Sequence, residues 1–321
     1  MILNSMLKAP PKLGLTLIVS AWLINLLVIL GIFWESVSIF SHFLLYSIIL
    51  NLIIFLSFWL NSVKRLFWRP ELWRKITLLL TILQAIPLSK YYLAPGPLDL
   101  ESPSQVTILS MNIKYQQKAA EELERIAKET SSDIVIISET NEKIINGKFK
   151  KFPHSFFESS AGLYILSQKP LSNESIIQLG GDRKGLQLDI HLNRRQFRLI
   201  TCHLSWPIYA KHYQALKAIS DISHKRERLI LVGDFNSSPW SAPIRNLLLK
   251  GDLKDTREGN GISSTWHLDA NKSLGLIIDH MFYRGPINSK DFKVIQTEFS
   301  DHNALLGTFM IGGKFGRKSN S

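Results

Sequence analysis

Twenty-two consecutive residues without a formal charge, Leu13–Trp34 (LGLTLIVSAWLINLLVILGIFW), constrain this chain more than any other feature. As a helix the run is ~33 Å long, enough for the ~30 Å hydrocarbon core of a bilayer. A second run, Ser36–Leu60, is broken only by His42, and Glu35 between the two predicts a tight hairpin. A secretory signal peptide is the rival reading of the first run. Its apolar stretch is too long, however, no small-x-small cleavage site follows, and a second run comes directly after it.

A third run, Ile76–Ser89, has 14 uncharged residues, followed by Lys90 and the pair Tyr91–Tyr92. Alone it suits a buried or interfacial helix, but the charges around it favour a span. Lys64, Arg65, Arg69, Arg74 and Lys75 separate the second and third runs, and Lys8 and Lys12 precede the first. The positive-inside rule then holds the N-terminus and the 61–75 loop in the cytoplasm. The expected anchor, 1–95, has three transmembrane helices (13–34, 36–60 and 76–95), with Lys90 snorkelling and the tyrosines at the far interface. That arrangement puts 96–321 on the non-cytoplasmic side, whereas two spans would leave it inside.

Composition changes at this boundary. Residues 1–95 carry 8 Lys+Arg and 2 Asp+Glu; 96–321 carry 30 and 24, so each part has a net charge of +6 but only the second has an ordinary soluble composition. Disorder, collagen and coiled coil are excluded. The single cysteine, Cys202, excludes an intrachain disulfide framework and a zinc site built on several thiolates. After a linker over 96–105, alternating hydrophobicity predicts strands at Val106–Met111, Asp133–Ser138, Leu163–Ser167, Leu186–His191, Phe197–His203, Leu229–Gly233, Ile277–Tyr283, Phe292–Thr297 and Ala304–Met310. Helical spacing marks Ala119–Ala127 and Tyr213–Ile222. So many strands with so few helices predict two packed sheets with helices outside, over 106–310. Residues 311–321 read as a basic, frayed tail.

Polar residues cluster at the ends of these strands: Asn112; Glu139; His203 in TCHL; Asp234 and Asn236 in GDFN; Asp279 and His280 in IDH; Asp301 and His302 in SDH. Singly each has a plainer reading, as a solvated strand end, a turn former or a helix cap. As an ordered set they resemble the endonuclease/exonuclease/phosphatase superfamily, the DNase I-like fold. With its apolar N-terminus the chain looks most like the membrane-anchored bacterial branch, which implies the inner (cell) membrane. The resemblance implies an α/β four-layer α/β/β/α sandwich and metal-dependent phosphoester hydrolysis. It assigns Glu139 as metal ligand, supported by Asn112 and Asp301, and His302 as general base oriented by Asp279. Asp234 would orient the attacking water, with Asn236 and His203 donating to the phosphate.

A site of oxygen donors suits a hard ion, Mg²⁺ or Mn²⁺. His280, adjoining Asp279 on a strand, should face the other way and be structural. Lys114 stands where several branches carry an acid, which argues against a second metal and suggests a phosphate contact. Gln168 after Ser167 departs from the family's Ser-Arg pair. Trp206, Trp240 and Trp266 are expected to pack in the core rather than stack on bases, and Cys202 to pack away from the site. The expected activity is a nuclease-type phosphodiesterase. The alternatives are a phospholipid or sphingomyelin head group or a small phosphate ester as substrate, and, outside enzymes, an inactive membrane-tethered binding protein.

Overall fold

A computed structural model describes residues 11–59, 70–93, 96–180, 183–193, 195–224, 227–268, 272 and 274–313. The chain forms two compact units, one of residues up to Lys90 together with Trp240–Ala242, the other of Tyr91–Pro239 and the chain from Pro243 onward.

In the first unit, α1 is Pro11–Phe33, a 3₁₀ segment spans Glu35–Phe43, α2 is Leu44–Trp59 and α3 is Pro70–Ala85. The hairpin at Glu35 is where the charge pattern placed it. Among the described residues one continuous helical stretch, Glu35–Phe58, is long and apolar enough to cross a membrane (mean hydropathy 2.2), while Ile18–Phe33 is a shorter apolar helix. Lys64, Arg65 and Arg69 lie outside the described residues; Arg74 and Lys75 fall within α3. The helices share a polar centre. Asn51 Nδ2 donates to Asn25 Oδ1 (2.8 Å) and to Gln84 Oε1 (3.0 Å), Gln84 Nε2 donates to Asn25 Oδ1 (2.9 Å) and Ser47 Oγ (2.7 Å), and Ser47 donates to Asn25. Trp22 and Trp73 stack at 4.6 Å.

The end of this segment departs from the expected helix over 76–95. Regular α-helix stops at Ala85, because Pro87 cannot donate the next hydrogen bond, and a 3₁₀ turn carries Ile86–Tyr91. The two tyrosines that follow differ in burial, and Tyr91 does not face solvent. It is buried in the second unit, where its carbonyl accepts the Gly261 amide at 2.7 Å; only Tyr92 is exposed.

The second unit has β1 Ser104–Asn112, α4 Gln117–Glu129, β2 Ile134–Ser138, α5 Glu142–Ile145, β3 His154–Glu158, β4 Leu163–Ser167, β5 Leu171–Gln178, β6 Lys184–Leu192, β7 Arg195–His203, α6 Ala210–Ser223, β8 Leu229–Asp234, α7 Ala242–Gly251, β9 Lys254–Asp255, β10 Trp266–His267, β11 Gly275–Leu276, β12 Asp279–Arg284, β13 Ile287–Ile295 and β14 Ala304–Ile311. One six-stranded sheet runs β13-β14-β1-β2-β4-β3, the other β5-β6-β7-β8-β12-β9; β10 and β11 pair separately. Both large sheets are mixed, with parallel pairs β1–β2 and β7–β8.

Strand alternation builds the layers. Val106, Ile108, Ile134, Ile136, Leu199, Ile230 and Val232 fill the space between the sheets. Their neighbours Leu109, Met111, Val135 and Ile137 face α4, and Ile200, Leu229 and Leu231 face α6 and α7. Strands apolar on both faces are what a sheet covered on both sides requires. Several ends differ from the sequence-based bounds. β13 starts at Ile287, five residues before Phe292, and the last strand continues to Ile311, so the tail expected from 311 begins later; 314–321 lie outside the described residues. Gly233 is required where β7 meets β8, since a Cβ there would sit 2.0 Å from the Cys202 carbonyl oxygen.

Candidate active site

The parallel registers bring the polar strand ends together. Asn112 pairs with Ser138, the residue before Glu139; His203 pairs with Asp234, and Asp234 pairs with Asp279 across the antiparallel β8–β12 ladder. Asn112 Nδ2 then bridges the two sheets, donating to Glu139 Oε1 (2.9 Å) and Asp234 Oδ2 (3.2 Å). His203 Nε2 lies 3.6 Å from Glu139 Oε1 and 3.7 Å from Asp234 Oδ2.

His302 completes the constellation. Its Nδ1 donates to Asp279 Oδ2 at 2.9 Å, which leaves Nε2 3.8 Å from Asp234 Oδ2. The loop carrying it is fixed from several sides. Ser300 Oγ donates to the Asn112 carbonyl and accepts from the His302 amide, Thr297 Oγ1 donates to the His302 carbonyl, and the Glu122 carboxylate accepts the Glu298 and Phe299 amides. Asp279 is held by Thr265 Oγ1, which accepts its amide at 3.0 Å.

Some of the chain's left-handed backbone lies here. Lys114, Tyr115, Glu139 and Asn236 all have left-handed φ, between 49° and 55°, a conformation that costs a non-glycine residue about 1 kcal/mol or more. Side chains and neighbouring strands lock it: the Asn112 Oδ1 accepts the Lys114 amide, the Glu139 carbonyl accepts the Tyr115 amide, and Asp234 Oδ1 accepts the Asn236 amide.

The electrostatics follow from burial and crowding. Burial raises the Asp234 carboxyl, and the charge of Asp279 raises it further. For His302, burial works downward, but the carboxylates of Asp279, Asp234 and Asp301 outweigh it and lift the imidazole to about 9. Asp301 is the reverse case. Burial pushes its carboxyl up, and the hydrogen bond from Lys114 with the nearby positive charges brings it below the ordinary carboxylate range.

Every predicted site residue lies at this end of the sandwich, with differences in detail. Asn236 is engaged with the backbone, its Nδ2 donating to the Leu204 carbonyl at 2.8 Å. Lys114 pairs with Asp301 at 2.7 Å. His280 faces away as expected, its Nε2 donating to the Ser237 carbonyl and its Nδ1 accepting from the buried Arg257. Cys202 is buried, and burial raises its thiol. Trp240 is buried, but Trp206 is not a core residue: it is exposed, edge-on to the half-buried Trp266, on the loop between β7 and α6. Sequence reasoning missed Trp266 as a site residue. Its Nε1 donates to Asp301 Oδ2 at 3.3 Å, and the sequence reading, which places it near the motifs, assigns it to the core.

Two sets of groups suit a cation. Ligand atoms of Asp234, Asp279 and His302 lie within 4.8 Å of one another and could hold an ion. In that set, however, Asp279 is already committed to the His302 ring. At the other, Asp301 Oδ1 is buried with no hydrogen-bond partner among the described residues, on the loop whose Ser300 Oγ donates to the carbonyl of Asn112, the residue whose Nδ2 donates to Glu139 Oε1. An orphaned anionic oxygen there fits a divalent ion.

Two mixed sheets packed face to face, with carboxylates and imidazoles on the strand ends and loops at one end, define an α/β-sandwich hydrolase site of the DNase I-like kind. The Endonuclease/Exonuclease/phosphatase family signature matches residues 109–302, more than half of the chain, and the protein belongs to that family. Solved structures with the same fold include D. rerio TDP2 complexed with single strand DNA product (19% identity, TM-score 0.56, 64% of this chain and 99% of that one). SmcL is similar at 16% identity (TM-score 0.53, 64% and 99%), and ANGEL2, a 2′,3′-cyclic phosphatase in complex with adenosine-2′,3′-vanadate, at 13% (TM-score 0.52, 66% and 97%). At these identities the likeness establishes the fold. No curated protein matches the chain.

Proposed function

We propose that the protein is a membrane-anchored, Mg²⁺- or Mn²⁺-dependent phosphodiesterase whose substrate is nucleic acid. The observation that carries the hydrolytic reading is His302, locked by Asp279 at Nδ1 with Nε2 turned toward Asp234. In that geometry Nε2 takes a proton from water while Asp279 stabilises the imidazolium that forms. Asp234, 3.8 Å from Nε2, accepts the water's other hydrogen and aims its lone pair at phosphorus. His203 donates to a phosphate oxygen as charge builds, and Asn236 contributes through its amide. Glu139 and Asp301, with Asn112, would hold the ion, which supplies charge neutralisation at the phosphoryl and leaving oxygens. Lys114 adds a positive charge for the phosphate. The net +6 of residues 96–321 favours a polyanion, and a fold neighbour was solved with single strand DNA product.

A second substrate class, a lipid head group, has an observation of its own. Tyr115, Trp206, Ile208, Tyr209 and Phe299, all on loops at the site end, are large apolar side chains exposed to solvent.

The buried amides of Asn25, Asn51 and Gln84 support reading α1, α2 and α3 as one three-span bundle, since polar groups in hydrocarbon must find partners within it. The anchor then sits in a bacterial inner membrane with the catalytic unit on the non-cytoplasmic face.

The test uses the full chain in detergent with single-stranded DNA, RNA, sphingomyelin and small phosphate esters in parallel. Hydrolysis of nucleic acid should stop with EDTA and return with Mg²⁺ or Mn²⁺. Turnover that survives exhaustive chelation, or returns only with Zn²⁺, overturns the metal assignment, and sphingomyelin cleavage alone selects the lipid reading.

A further inference from the structure

Lys114 stands in an unusual position for a surface lysine. Its ammonium is 2.7 Å from Asp301 Oδ2, the same oxygen that accepts from Trp266 Nε1, while Asp301 Oδ1 has no hydrogen-bond partner among the described residues. The lysine is not there by rotamer chance. Two consecutive left-handed residues, Lys114 (φ 51°) and Tyr115 (φ 55°), turn the chain back over the site after β1. The turn is pinned at both ends, by the Asn112 side chain on the Lys114 amide and by the Glu139 carbonyl on the Tyr115 amide. Two strained residues are held in place to bring one cation to one carboxylate.

From this geometry we infer that Lys114 is a tethered counter-cation of the metal-binding carboxylates, which a divalent ion must displace from Asp301 to bind fully. The inference rests on the reading of Glu139 and Asp301 as the metal-holding groups. Its logic is charge balance. In the metal-free protein the ammonium pairs with Asp301 and, with the Trp266 indole and the neighbouring His302, keeps the half-buried acid ionised. When a dication arrives, the same carboxylate gains a stronger partner, and Lys114 and the ion repel one another. The ammonium, more than half exposed and on a flexible four-carbon stem, then swings off toward solvent, where a substrate phosphate oxygen is its natural partner. Metal entry and the freeing of a phosphate-binding cation thus become one event, and the intrinsic metal affinity is held down by the lysine's presence.

The size of the effect follows from Coulomb's law. A unit charge ~6 Å from a dication in a water-like dielectric opposes binding by about tenfold, and more where water is partly excluded. The opposite sign is expected of a purely structural lysine, whose loss would loosen the Asp301 loop and weaken metal binding.

The experiment is Mn²⁺ binding to the full chain in detergent, with free Mn²⁺ counted by electron paramagnetic resonance, for wild type, Lys114→Met, Lys114→Gln and Lys114→Arg. Circular dichroism checks that each variant is folded. Lys114→Met and Lys114→Gln should bind Mn²⁺ about tenfold more tightly than wild type, and Lys114→Arg, which keeps the charge, should stay close to it. The two neutral variants guard against a folding failure in either one. Equal or weaker Mn²⁺ binding by the folded neutral variants overturns the inference and leaves the metal reading standing. A wild-type chain that binds no Mn²⁺ removes both, and the two failures are told apart by the wild-type measurement alone.

Discussion

Replacing Asp279 with asparagine removes the group that holds His302, and the structure gives the expected size of the effect. Both carboxylate oxygens lie within 3.1 Å of His302 Nδ1, and the imidazole is lifted to about 9 from an ordinary value of about 6.5. That lift is worth about 3 kcal/mol in favour of the protonated ring, shared among Asp279, Asp234 and Asp301, with Asp279 the largest contributor. The sign is that of a raised base. The stabilisation is fully present below pH 6.5, is lost progressively as pH rises, and is gone above about 9. In the metal-free protein, where no added positive charge lowers the ring further, NMR of the His302 ring should therefore titrate near 9. Thermal stability should fall between pH 6.5 and 9. In Asp279→Asn the ring should titrate closer to 6.5 and the stability profile should flatten in that window. Activity moves the other way. Although more of the imidazole is neutral at pH 7, its tautomer and aim are lost, and kcat/KM on the alkaline plateau should drop by about 10²–10⁴. An unmoved titration in Asp279→Asn, or a plateau within a factor of a few of wild type, would refute the pairing as the source of the base.

Two further outcomes follow from features away from the reacting atoms. Arg257→Met should destabilise the fold by about 3–5 kcal/mol in chemical denaturation, because the nearly fully buried guanidinium donates to His280 and the Asp279 carbonyl and neutralises the equally buried Asp255; a loss below about 1 kcal/mol would mean that Asp255 finds another partner. In a bacterial host, a C-terminal alkaline phosphatase fusion should be active and a C-terminal fluorescent protein that folds only in the cytoplasm should stay dark; the reverse pair of results means two spans and an intracellular catalytic unit.

The sequence alone determined the periodic features. Uninterrupted apolar runs, the charge step near residue 95 and the period-two strands are local properties of the chain, because burial on one or both faces must be written residue by residue. The ordered polar strand ends from Asn112 to His302 were legible for the same reason: a sheet exposes polar side chains at its ends. What the sequence could not state was which strand end meets which. Asp234 faces Asp279 only because β8 and β12 pair antiparallel in one register, and Asn112 reaches Asp234 only because two sheets pack face to face. Trp266 and Arg257 became part of the site's support, and Trp206 stayed exposed beside Trp266, through loops with no periodicity to read. Tyr91, expected beyond the third apolar run at a membrane interface, belongs to the second unit, where its carbonyl accepts the amide of Gly261, a partner 170 positions away. The ion pair of Lys114 with Asp301 is likewise a tertiary fact, since attraction between charges depends on distance in space and the two residues stand 187 positions apart.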